Sequence, residues 1–385
     1  MSQHWRPTAV EVDLDAFRSN VEAFVGLVSP ARLCAVVKAD GYGHGAVACA
    51  RSAVSGGATW LGVALVEEAV ELREAGIDAP ILVLSEFPDA AASAVVHHCI
   101  TPTVYSMHKI EVLTSAAAVL GSTQAIRVHI KVDTGMRRVG AQPHEVIGLA
   151  RRIGGEPRLE LGGVYTHLAI ADVPSDPFTA VQLRLFRETL ATLTSDGIDP
   201  GIVHASNSAG TLAHPDAHFD MVRVGIALYG NDPDSSMPAG RYGIDLQPIL
   251  TLRSAVSHVK ILEAGQRLSY GLRYTLPERS VVATVPIGYA DGLARRYSSV
   301  GGEVLLNGNR VPIAGRVTMD QIVLDCGPPD PDRPIAVGDE VVVLGSQNGG
   351  RITPWEMATR LDTIAYEVTC GISKRVPRIY RGGNE

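Results

Sequence analysis

Long apolar runs are missing from these 385 residues, so no stretch reads as a membrane-spanning helix. Runs of lysine and arginine are missing too. With a net charge of −7 and no basic stripe, nucleic acid is not an expected partner. The five cysteines (Cys34, Cys49, Cys99, Cys326, Cys370) are odd in number, scattered, and without Cys-x-x-Cys spacing. That pattern excludes a disulfide framework or a zinc site, predicts no metal, and reads as reduced thiols of a cytoplasmic protein. The start, Met-Ser-Gln-His-Trp-Arg-Pro, has no apolar core after a basic beginning, so no signal peptide is expected. The chain also lacks internal repeats, low-complexity segments, and a Gly-x-Gly-x-x-Gly opening a helix after the first strand. The last absence removes the usual mark of an open dinucleotide-binding sheet.

The rest of the composition is that of an ordinary globular protein, with 46% apolar and 19% charged residues. The length predicts two domains. Short apolar strands are expected near 33–37, 60–65, 81–84, 101–105, 125–132, 161–166, 201–205 and 221–224. Helical patterns such as Glu67–Ala75 and Phe178–Leu193 lie between them. Eight strand–helix units predict a closed (β/α)₈ barrel of the TIM type, assigned to residues 10–243. A stretch rich in Pro, Asp, Ser and Gly, Asn231 to Gly243, reads as a linker. From residue 244 to 385 the pattern becomes mostly β, with runs at Ile249–Leu262, Val281–Ile287, Glu303–Leu306, Val311–Val317 and Val341–Leu344. One helix, Trp355–Ile364, interrupts it. Thr8-Ala-Val-Glu-Val-Asp is an orphan strand ahead of the first helix.

The residues with chemical potential fall at the C-terminal ends of several barrel strands, where barrels assemble their sites. Lys38 ends the apolar run Leu33–Val37 in Ala35-Val-Val-Lys-Ala-Asp-Gly-Tyr-Gly-His-Gly. Desolvation there favours the neutral amine that a covalent lysine needs. Gly41, Gly43 and Gly45 allow Tyr42 and the backbone to approach a ligand. The same pattern also fits an exposed loop lysine beside a turn. Asn207-Ser208-Ala209-Gly210 and Gly225-Ile226 follow the seventh and eighth strands, where barrels often bind phosphate; an ordinary N-cap at Ser208 and a tight turn at Gly225 are the plainer alternatives. Arg223, inside the barrel mouth, needs partners, and Asp220 is one candidate. Lys131 and Arg138 form a second basic pair around Val-Asp-Thr-Gly-Met-Arg.

Further motifs are Lys131-Val-Asp-Thr-Gly-Met, Tyr165-Thr-His, Asn207-Ser-Ala-Gly, Val222-Arg-Val-Gly-Ile, Ser269-Tyr-Gly, Ile287-Gly-Tyr-Ala-Asp-Gly, Thr318-Met-Asp-Gln and Ala365-Tyr-Glu. Together with the Lys38 segment they resemble the alanine racemases, in order, from about Thr8 to Tyr380. The resemblance implies pyridoxal 5'-phosphate held on Lys38, a PLP-dependent isomerase, and interconversion of L- and D-alanine for peptidoglycan. It implies that the N-terminal strand, residues 1–9, joins the second domain. It adds Tyr42, His167 and Tyr366 to Asn207, Ser208, Gly225 and Ile226 as cofactor contacts, and sets Arg223 against the cofactor's ring nitrogen. Lys38 and Tyr270 become the two bases, with Tyr270 reaching the other subunit of a homodimer with shared active sites. A phenol titrates near pH ~10, so Tyr270 needs help from its neighbours, and His167 would link it to Arg223. Lys131 would be carbamylated and orient Arg138, which holds the substrate carboxylate. Met319, Tyr289, Asp291 and Arg295 would line the approach from the partner subunit. Arg137 departs from the family, where a small residue is usual. Plainer roles exist as well: a half-buried strand aromatic for Tyr270 and core packing for Met319. An amino-acid decarboxylase of the same fold and a pyridoxal-phosphate carrier built on the barrel alone are the alternative functions.

Overall fold

The computed structural model describes residues 5–383. Strand β1 (Ala9–Asp13) comes first. Eight parallel strands follow: β2 (Arg32–Val36), β3 (Trp60–Val63), β4 (Ile81–Val83), β5 (Thr103–Val104), β6 (Ile126–Lys131), β7 (Leu159–Tyr165), β8 (Ile202–His204) and β9 (Met221–Val224). Their order is β4-β3-β2-β9-β8-β7-β6-β5. The ring closes between β4 and β5, where Leu82 bridges Thr101 and the N–H of Val83 donates to the Thr101 carbonyl at 3.0 Å. This is the expected (β/α)₈ barrel. Its strands are nearly continuous apolar runs because inner side chains and outer helices bury both faces. Cys34, Trp60, Leu82 and Met221 form one buried cluster of the barrel. Local signals set the helices: Ser106 Oγ accepts the N–H of Lys109 to start Met107–Val119. The segment 231–243, with the composition of a linker, is folded into the barrel unit. Met237 and Ala239 are buried there, and the N–H of Ala239 donates to Asp232.

The second compact unit takes the chain up to residue 16, residues 42–45, and everything from Pro248 on. It contains β10 (Leu250–Ala255), β11 (His258–Leu262), β12 (Arg267–Leu268), β13 (Tyr274–Thr275), β14 (Ser280–Val285), β15 (Glu303–Leu306), β16 (Asn309–Pro312), β17 (Ile322–Asp325), β18 (Glu340–Gln347), β19 (Gly350–Ile352) and β20 (Arg378–Arg381). Strand β10 alternates buried and half-buried residues, as a strand with one covered face should. The single run expected at 249–262 is two strands, broken at Val256-Ser257. The run expected at 311–317 stops early. Strand β16 ends at Pro312, Ile313 keeps an isolated bridge to Leu324, and Gly315 turns the chain at φ 84°.

Strand β1 pairs antiparallel with β10 (Val12 opposite Leu250) and parallel with β20 (Val10 opposite Arg378). Residues 10–16 therefore group with the β-rich unit, although the boundary read from sequence puts them in the barrel. Of the N-terminal segment 1–9, residues 1–4 lie outside the described residues. The late helix runs Pro354–Leu361, with Thr353 as its N-cap and Asp362 ending it in the left-handed conformation. No helix among the described residues is long and apolar enough to cross a membrane.

Candidate active site

Lys38 lies just past β2, after Val37, and is half-buried. The chain then takes an unusual course. Ala39, Asp40, Gly41 and Tyr42 all have φ between 52° and 59°, a left-handed turn. Each non-glycine residue in that region costs roughly 1–2 kcal/mol, so the turn has to be held. Three contacts hold it. The N–H of Gly41 donates to the Val37 carbonyl at 2.9 Å, Asp40 Oδ1 accepts the N–H of Ala46 at 2.9 Å, and Glu68 Oε1 accepts the N–H of Ala39 at 2.6 Å.

Arg223, in β9, is 3% exposed. Its guanidinium donates to the carbonyls of Thr166 and Ala205 at 2.9 and 3.0 Å, to His204 Nδ1 at 2.8 Å, and to His167 Nδ1 at 3.3 Å. It also lies 5.0 Å from the centre of the Tyr165 ring. Asp220, the partner considered from sequence, instead accepts the N–H of Val203 at 2.8 Å. Arginine only donates, so both histidines must be neutral and accept at Nδ1. His204 then donates from Nε2 to His129 Nδ1 at 2.9 Å, and the proton on His129 Nε2 is buried without a partner among the described residues. Burial, with Arg223 next, holds His204 well below the ordinary imidazole range and His129 down to about 3.

Lys131 ends β6, is 5% exposed, and lies 5.7 Å from the centre of the same Tyr165 ring. Burial, then Arg223 and Arg138, pull its amine down to about 8. His167 is pushed well below its ordinary value by burial and then by Arg223, Lys131, Arg138 and Lys38. The barrel end thus gathers basic groups that raise one another's electrostatic cost. An anionic ligand would relieve that cost. Arg137 and Arg138 are both exposed. Arg137 is left-handed (φ 55°), and its N–H donates to Asp133 Oδ1 at 3.0 Å, so the bulky residue at this position sits on a turn that Asp133 braces.

The loops after β8 and β9 meet. The N–H of Gly225 donates to Ser208 Oγ at 3.0 Å, and Asn207, not Ser208, caps the helix Ser208–Ala213 by accepting the N–H of Gly210. Ile226 begins the short turn that follows Gly225.

In the β-rich unit, Tyr42 and Tyr366 face one another, with ring centroids 6.1 Å apart. Tyr270 is 74% exposed in the turn between β12 and β13, which removes the reading of a half-buried strand aromatic. Ser269, Gly271 and Leu272 around it all have positive φ. Met319 is 53% exposed, so it is not core. Tyr270, Tyr289, Arg295, Arg316 and Met319 line one concavity of about 690 Å³. Asp291 departs from its expected place on the approach: it is fully buried, bound by Arg6 at 2.6 Å and by the N–H of Gly288 at 2.9 Å.

His129, His204 and Glu68 belong to none of the sequence motifs. The two histidines sit within apolar strands, and that is the signal that could have revealed them.

The chain matches the family described as "Alanine racemase, N-terminal domain" over residues 12–233 and "Alanine racemase, C-terminal domain" over 249–380. It is 48% identical to an alanine racemase of Symbiobacterium thermophilum over 377 residues, covering 98% of each chain. Among solved structures it is similar to the alanine racemase of D-cycloserine-producing Streptomyces lavendulae, at 38% identity and a TM-score of 0.91 over 99% of each chain. It is also similar to a histidine racemase of Leuconostoc mesenteroides, at 27% identity and a TM-score of 0.88 over 99% of each chain.

Proposed function

The chain belongs to the alanine racemase family, and from that premise we propose that it interconverts L- and D-alanine with pyridoxal 5'-phosphate as cofactor. The observation that carries this reading is Arg223: a buried cation whose hydrogen-bond partners are carbonyls and neutral histidines. The cluster of basic groups at the barrel end fits an anionic cofactor. Lys38 would hold it covalently. Ser208, Asn207, Gly225, Ile226, Tyr42 and Tyr366 would hold its phosphate, and Arg223 its ring nitrogen. Pyridoxal phosphate, when bound, acidifies the α-hydrogen of an amino acid joined to it.

The chain's own groups set the course of the reaction. Arg223 keeps its proton, so it would donate a hydrogen bond to the ring nitrogen and leave that nitrogen unprotonated. By doing so it would keep the electron sink weak, which suits a reaction in which only a proton moves. The decarboxylases of this fold use an acidic partner at the same point, which disfavours that alternative. A carrier built on the barrel alone would not need the β-rich unit with Tyr270. Arg138 binds the substrate carboxylate, oriented by Lys131 as its carbamate. Lys38 serves one face of the α-carbon and Tyr270 of the partner subunit the other, with His167 between Arg223 and that phenol. Tyr289 and Met319 narrow the approach, and the functional unit is a homodimer. The higher identity to alanine racemases than to the histidine racemase supports alanine as substrate. The reaction would take place in the cytoplasm and its D-alanine would feed peptidoglycan.

The test is optical rotation. L-alanine incubated with the protein should lose its rotation while its concentration stays constant. A decarboxylase would consume it, and a carrier would leave the rotation unchanged.

A further inference from the structure

We propose that Glu68 is a positioning residue for Lys38, acting through the left-handed turn; this rests on the proposed racemase activity. Glu68 lies in the first turn of the helix Val66–Glu74. One carboxylate oxygen, Oε2, accepts the N–H groups of Ala64 and Leu65 at 2.8 and 3.1 Å, an ordinary helix-start contact. The other, Oε1, leaves that helix and accepts the N–H of Ala39 at 2.6 Å. The carboxylate therefore ties the end of β3 to the residue immediately after Lys38. It does so where Ala39 and Asp40 are held at φ 53° against their own preference. Strain of this kind persists only where surrounding contacts over-determine it. A capping role needs one oxygen. Bridging two strand ends needs both.

Glutamine separates the two roles, because it has one acceptor oxygen. It will turn that oxygen to the two N–H groups of Ala64 and Leu65 and present its NH₂ to the N–H of Ala39, where no hydrogen bond can form. Glu68→Gln should therefore keep the melting temperature of the wild type but loosen the Lys38 turn at Ala39, while the Gly41–Val37 and Asp40–Ala46 hydrogen bonds remain. Displacing a reacting group by about 1 Å can cost on the order of 10²-fold in rate. The expected result for the cofactor-loaded dimer is a fall in kcat of about 10-fold or more with KM little changed. Borohydride should also trap the pyridoxyl group on Lys38 more slowly, as followed by peptide mapping. Glu68→Ala, which loses both links, should lose melting temperature as well as kcat. Wild-type kcat or wild-type trapping in Glu68→Gln would overturn the proposal, whatever the melting temperature. The two ways of failing are distinct. Wild-type protein that takes no pyridoxyl label on Lys38 refutes the proposed activity and the role of Glu68 with it. Label on Lys38 in the wild type and equally in Glu68→Gln refutes the role of Glu68 alone.

Discussion

Replacing Lys131 by methionine should stabilise the protein when it is stripped of cofactor and dissolved carbon dioxide. Lys131 is 5% exposed, and burial together with Arg223 and Arg138 lowers its pKa from 10.5 to about 8. At about 1.4 kcal/mol per unit this corresponds to roughly 3 kcal/mol of penalty on the charged form. The sign follows from proton binding. Between about pH 8 and 10.5 the unfolded chain holds a proton that the folded chain has lost, so stability rises with pH across that window. Below about pH 8 both states are protonated and the penalty is present in full. Methionine fills similar space without the charge. At about pH 7 Lys131→Met should therefore melt higher, by up to roughly 2–4 °C per kcal/mol for a unit of this size. The advantage should fade toward pH 10.5. Added bicarbonate should shrink or reverse it, because a carbamate on Lys131 would pair with Arg138 and raise the wild type alone. The assay is thermal unfolding across pH with and without bicarbonate. A Lys131→Met protein less stable at every pH, with no response of the wild type to bicarbonate, would refute the reasoning.

Arg223→Glu should keep the cofactor but lose reaction specificity, since a carboxylate favours a proton on the ring nitrogen and gives transamination time to compete. Racemisation at the wild-type rate without pyridoxamine products would count against the role assigned to Arg223. Mixing Tyr270→Phe with Lys38→Ala protomers should restore part of the activity, because on the proposed two-subunit site each heterodimer would have one intact site. No recovery despite proven subunit exchange would exclude a shared site.

The barrel is readable from sequence because its strands are buried on both faces and so appear as apolar runs with a charge at or just past the end. Lys38 and Lys131 stand out for that reason, and Arg223 stands out as the single charge inside the run Met221–Val224. The geometry around them is less readable. Three glycines announce a loop after Lys38, but nothing in the composition marks Ala39 and Asp40 as left-handed. Glu68 looks like any acidic residue in a first helical turn, and only its second oxygen distinguishes it. His129 and His204 matter through tautomers imposed by Arg223, which a linear pattern does not encode. In the β-rich unit, β12 and β13 have two residues each, too few to show any period. The segment 231–243 has the composition of a linker, yet Met237 and Ala239 anchor it.

Two bases acting on opposite faces of one α-carbon, Lys38 and Tyr270 of the partner subunit, are the core of the proposed mechanism. Exchange of the α-hydrogen in deuterated solvent tests them most directly. In Tyr270→Phe, exchange from D-alanine should continue through Lys38, while exchange from L-alanine falls by about 10²–10⁴-fold, the usual contribution of a positioned acid–base group. Equal loss for both enantiomers, or none for either, would contradict the two-base mechanism.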